Sequence, residues 1–106
     1  MLTAHSLPLP VTNALKKLGR DLALARRKRR ISAADMAARI FVSRDTLWRM
    51  ERGDPAVSVG AFSTALFVLG LKDRFERLAE PGEDELGMAL DEERIPRRIR
   101  KRKEPS

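Results

Sequence analysis

Apolar residues recur at helical spacing in five stretches of the chain, separated by residue types that start and stop helices. The first stretch begins near Thr12 or Asn13 and runs to about Arg30, with Leu15, Leu18, Leu22 and Ala25 on one stripe. Before it, Pro8 and Pro10 interrupt a segment without periodicity, which predicts a flexible arm over residues 1–11. A second, short stretch follows Ser32, a suitable cap, and aligns Met36, Ala37 and Ile40. Phe41 and Val42 make a tight turn. Ser43 then caps a third helix, with Leu47 and Met50 inward and Gly53 at its end.

Ser58 caps a fourth helix in which Val59, Phe62, Leu66 and Leu69 face the core. Ala65, Phe67 and Val68 widen its apolar surface beyond one stripe, which fits a dimer interface as well as it fits core filling. Gly70 ends that helix, and a fifth from Leu71 to about Ala79 offers Leu71, Phe75 and Leu78 inward. The fold class predicted is all-α. A compact five-helix bundle occupies residues 12–80, followed by a tail over 81–106 that is disordered or partner-bound.

Helices two and three, residues 31–53, have the arrangement that presents a helix to the DNA major groove. Ala37 supplies the small residue that a steep, close helix crossing needs. The outer face of the third helix carries Arg44, Asp45, Thr46, Trp48 and Arg49. Arg44 and Arg49 can each donate two hydrogen bonds to guanine O6 and N7, or neutralise phosphates without reading a base. Asp45 can accept from cytosine N4 or serve as the negative charge at a helix N-terminus, with the helix role preferred. Thr46 suits a thymine methyl or a phosphate, and Ser43 sits where backbone N–H groups favour a phosphate. Trp48 has three candidate seats: the sugar–phosphate wall, thymine methyls, or the end of the first helix. Arg52 reads as a phosphate contact, and Glu51 as a structural partner for a cation such as Arg26.

The net charge of +7 over 106 residues is divided into blocks. Residues 16–52 carry +8, residues 53–93 carry −7, and residues 94–106 carry +6. The first block coincides with the two helices just described, and five of its cations, Arg26 to Arg30, are consecutive. That exceeds what a helix C-terminus requires and fits phosphate contact at least as well as a solvated helix end, while the alternating blocks favour a nucleic-acid face with the acidic region turned elsewhere. Cysteine is absent, which excludes disulfides and thiolate metal sites and fits the cytoplasm. The one histidine, His5, lies in the arm and reads as solvated rather than as a ligand. No apolar run approaches the ~20 residues of a membrane span, and the first residues lack the basic start of a signal peptide. No acid/base pair accompanies a nucleophile, and no glycine loop cradles a phosphate. The reading is therefore of a non-enzyme without catalytic residues, cofactor or metal.

On these residues the run from Leu15 to Leu69 resembles the XRE (Cro/C1-type) helix-turn-helix family of phage and bacterial repressors. The resemblance implies a lambda-repressor-like five-helix domain that binds double-stranded operator DNA as a homodimer. It places base contacts on Arg44, Asp45 and Arg49 and pairs Arg26 with Glu51. Two positions depart from the family pattern: Ala33 stands where a Gln often opens helix two, and Phe41 where a Gly is common in the turn. A narrower resemblance covers ERGDPAVSVGAFSTALFVLGL, DRFERLAEP, LGMALDEERIPRR and the basic end. These are similar to HipB-like antitoxins, which neutralise a HipA-type kinase toxin and repress the operon encoding both. The acidic stretch 80–93 and the basic end would then contact the kinase. Two other readings share the same residues: a phage or plasmid repressor without a toxin partner, and a protein-interaction module with incidental DNA binding.

Overall fold

The computed structural model describes residues 6–93. Among them are six α-helices and no strand: α1 (Leu9–Lys28), α2 (Ala33–Arg39), α3 (Arg44–Glu51), α4 (Val59–Val68), α5 (Lys72–Glu76) and α6 (Glu85–Glu93). A 3-10 turn at Pro81–Glu83 precedes α6. The chain divides into two compact units between Phe75 and Glu76.

Three helices of the first unit start alike. The hydroxyl oxygens of Ser32, Ser43 and Ser58 accept the backbone N–H of Asp35, Thr46 and Ala61, each at 3.0 Å. Each serine thereby satisfies one of the donors that a helix N-terminus leaves open. The first four helices also end alike. In each, the residue after the C-cap takes positive φ, and two backbone hydrogen bonds close the end in a Schellman motif. The positive-φ residues are Arg30, Phe41, Gly53 and Gly70. Ile31, Val42, Asp54 and Leu71 follow them and donate to the carbonyls of Arg26, Ala37, Arg49 and Leu66.

The core of this unit gathers Leu22, Ile31, Met36, Ala37, Ile40, Leu47, Met50, Val57, Phe62, Ala65 and Leu69. Met50 is wholly enclosed and Leu47 nearly so, which anchors α3 against both α1 and α2. The inward faces expected of α2 and α3 are therefore the observed ones.

The expected five-helix bundle over residues 12–80 becomes six helices among the described residues, and further expectations also need correction. α1 starts at Leu9, inside the segment expected to be an arm, with Pro8 as its cap and Pro10 in its first turn. The first helical turn has no intrahelical acceptor for its N–H groups, so proline loses nothing there, and its fixed φ favours the helix. The buried face of α1 is also shifted: of the expected stripe Leu22 is enclosed and Leu15 and Ala25 are half-buried. Gly19, Leu22, Ala23 and Arg26 are enclosed, while Leu18 is exposed. A Cβ on Gly19 would lie 2.6 Å from the Glu51 carbonyl oxygen, so this glycine is what lets α3 approach. Finally, Val59 and Leu78 are exposed rather than inward. Val59 opens α4, where side chains tilt back past the helix start and off the core. Leu78 lies beyond the end of α5 at Glu76, so no helical face carries it inward.

The second unit replaces part of the expected tail with structure. The Asp84 side chain accepts the Gly87 N–H at 3.0 Å and its carbonyl accepts the Met88 N–H at 2.9 Å, which starts α6. Leu86, Ala89 and Leu90 are good helix formers, and Glu85 suits the positive end of the helix. Leu86, Met88 and Leu90 are all exposed. Residues 94–106, the basic part of the expected tail, lie outside the described residues, as do residues 1–5 of the expected arm.

Candidate nucleic-acid interface

α3 is held at both ends before any ligand arrives. At its start the Ser43 hydroxyl accepts from the Thr46 N–H and donates to the Thr46 hydroxyl, both at 3.0 Å. At its end Glu51 is gripped by Arg26 of α1, through Nε at 2.7 Å and Nη2 at 3.1 Å. Arg26 Nη1 also donates to the Ile31 carbonyl at 2.9 Å, so one guanidinium ties α1, α3 and the turn between α1 and α2. Both side chains of this pair are mostly enclosed. A fork-to-fork pair is directional, so it fixes the rotation of α3 as well as its position. The pairing of Arg26 with Glu51 expected from the sequence is thus present.

The outer face of α3 sorts into free and engaged side chains. Arg44 is exposed, and among the described residues its guanidinium makes no hydrogen bond or ion pair. Arg52 lies over the Trp48 ring, its guanidinium carbon 4.7 Å from the ring centroid, a cation–π stack at the solvent edge. Trp48 itself is 57% exposed. It shares a shallow hollow of about 370 Å³ with Thr12 and Lys16 of α1 and with Gly53 and Pro55. The neighbours of Trp48 on the first helix are thus at the start of α1 rather than at its end.

Thr46, Asp45 and Arg49 are engaged with one another. Arg49 Nη2 donates to the Thr46 hydroxyl at 3.3 Å, and its Nε lies 3.2 Å from the Asp45 carboxylate. Nη1 lies 3.6 Å from the carboxylate of Asp54, in the loop after α3. Arg49 Nε is buried and makes no hydrogen bond of good geometry, so only the terminal nitrogens of this guanidinium can reach a ligand. Asp45 lies in the first turn of α3, as a helix N-terminal charge would, and also pairs with Arg49 one turn on. Thr46 is half-buried and links Ser43 to Arg49, which is less outward than its position implies.

The cluster Arg26 to Arg30 divides as well. Arg26 is buried in its pair with Glu51, while Arg27, Lys28, Arg29 and Arg30 stay exposed at the end of α1. Two contributors were missed by reasoning from sequence. Asp54 gave no periodic signal, although an acidic residue directly after a helix-ending glycine lies within reach of the preceding turn. Gly19 was passed over because a glycine inside a helical stripe reads as a gap rather than as a contact.

Together these features define a helix-turn-helix DNA-binding module: a short helix, capped and anchored, that offers arginines and one tryptophan on its outer face. The helix-turn-helix domain profile matches residues 17–79, and the chain belongs to that family. No curated protein and no solved structure is significantly similar to it. None of the described helices is long and apolar enough to cross a membrane.

Proposed function

We propose that this chain is a sequence-specific transcriptional repressor that binds a palindromic operator as a homodimer. The observation that carries the reading is the outer face of α3. Arg44, Arg49, Arg52 and Trp48 project from a helix held by Ser43 at one end and by Arg26–Glu51 at the other. A backbone so fixed needs no ordering on binding. In this mechanism α3 enters the major groove, with the arginines donating to base edges or phosphates and Ser43 at a phosphate. Two copies read half-sites ~34 Å apart, one helical turn of the duplex. The exposed cations at the end of α1 add phosphate contacts that strengthen binding without reading sequence. Val59 and Phe67, both exposed on α4, are the natural seat for the second copy.

The fuller form of the proposal makes the chain the antitoxin of a type II toxin–antitoxin pair, which neutralises a HipA-like kinase and represses the shared operon. Its support is the resemblance that continues beyond residue 70 and the separate unit after Phe75, acidic over residues 76–93, with Leu86, Met88 and Leu90 exposed on α6. Such a unit suits a basic, partly apolar partner surface.

Gel shift with the duplex upstream of the chain's own reading frame tests the first part. A discrete complex that survives excess scrambled duplex supports repression, whereas equal competition by scrambled duplex reduces the protein to a non-specific binder. Co-expression with the product of the adjacent gene tests the second part. Stable co-purification that requires residues 76–106 supports the antitoxin role, and its absence leaves a repressor without a toxin.

A further inference from the structure

Three of the four Schellman motifs in the first unit place an apolar residue after the positive-φ position: Ile31, Val42 and Leu71. Such residues pack back on the final turn of the helix they follow. The motif that ends α3 has Asp54 there instead. A carboxylate beside a helix C-terminus opposes the helix dipole, so this position is unfavourable for α3 itself. Its side chain reaches the same place that an apolar residue would, the final turn, where the residue is Arg49.

Asp54 and Arg49 are joined twice. The Asp54 backbone N–H donates to the Arg49 carbonyl at 3.0 Å, and its carboxylate lies 3.6 Å from Arg49 Nη1. The carboxylate is itself immobilised, because Oδ1 accepts the Ala56 N–H at 2.8 Å and the Asp54 carbonyl accepts the Val57 N–H. Asp45, the other acidic neighbour of Arg49, is 75% exposed along its side chain against 30% for Asp54. Asp45 can swing into solvent. Asp54 cannot.

We propose that Asp54 is a positioning residue that sets DNA sequence preference by holding the Arg49 guanidinium against the end of α3. Arg49 then meets the major groove with its guanidinium already restrained. Its remaining terminal N–H groups are aimed at one base rather than swept across several bases and phosphates. The inference rests on α3 being the DNA-reading helix. Asp54 touches no base; it acts through Arg49.

The test is selection from a pool of duplexes randomised over about 20 base pairs, using the full chain, Arg49→Ala, Asp54→Asn and Asp54→Leu. Asn keeps an oxygen for the Ala56 N–H while removing the charge, and Leu restores the residue type of the other three motifs. For the wild-type chain, a bidentate arginine–guanine contact gives about tenfold or greater preference at one position of each half-site. Arg49→Ala is expected to erase that position. Both Asp54 variants are expected to flatten it to about twofold or less while leaving the other positions and the thermal midpoint little changed. The proposal is overturned if the Asp54 variants select the wild-type pattern, or if they weaken every position equally. It is also overturned if Arg49→Ala leaves the pattern intact, in which case Arg49 reads no base although α3 still binds DNA. A wild-type chain that selects no sequence contradicts the repressor reading, and this proposal falls with it.

Discussion

At Phe41 the chain holds a bulky residue in left-handed backbone, φ 60°, where the equivalent positions after α3 and α4 are glycines. The left-handed region brings Cβ against the carbonyl and costs about 1–2 kcal/mol for a residue other than glycine. Packing does not recover it, because Phe41 is 90% exposed. A glycine relieves the strain but adds unfolded-chain freedom worth about 0.5–1 kcal/mol. Phe41→Gly is therefore expected to stabilise the domain by about 0.5–1 kcal/mol in urea unfolding, the strain term being the larger. Phe41→Ala, which keeps Cβ, should gain nothing. A loss of stability in the glycine variant would assign the ring a packing role that its exposure denies.

At the scale of the elements, α3 is positioned more by close approach than by hydrophobic area. A Cβ at position 19 would meet the carbonyl oxygens of Glu51 and Met50 at 2.6 and 2.7 Å. Alanine favours a helix over glycine by up to about 1 kcal/mol, whereas overpacking against an unyielding contact costs about 1–3 kcal/mol. The opposing atoms are backbone, so the larger figure governs. Gly19→Ala should destabilise by about 1–2 kcal/mol in urea unfolding, against the sign that helix propensity alone predicts.

The same element shows what a sequence can and cannot convey. Serine caps, the apolar pair Leu47 and Met50 and the arginine–glutamate partnership were all legible, because each is carried by residue type at fixed spacing. The full face that α1 buries was not. Gly19 occupies it for a reason visible only once α3 lies against it: it yields the space that the Glu51 and Met50 carbonyls fill. The start of α1 was hidden by prolines that read as breakers until their place in the first turn is known. On the outer face of α3, the exposure of Arg44, Trp48 and Arg52 followed from periodicity. The tie from Arg49 to Asp54 depends on loop geometry that periodicity does not encode.

Over the whole molecule, the basic block lies within the first unit and the acidic block falls on the described part of the second, residues 76–93, ahead of the basic end. Residues 16–52, with +8, include the helix-turn-helix, while residues 53–93, with −7, include all of α6. An acidic segment is repelled by phosphates, and a basic one gains affinity from counterion release. The helix-turn-helix and the acidic residues 76–93 are thus suited to different partners, DNA for the first and a protein for the second, which is the division of labour proposed above.

Trp48 gives that account its most direct test, since it is the one tryptophan in the chain and stands 57% exposed on the outer face of α3. Its emission should change saturably as the upstream duplex is added to the full-length protein. The change should disappear in the double variant Arg44→Ala, Arg49→Ala, which should remain folded by circular dichroism. If the duplex binds by gel shift while Trp48 emission stays constant, or if the double variant binds as well as the wild type, α3 is not the helix that reads DNA.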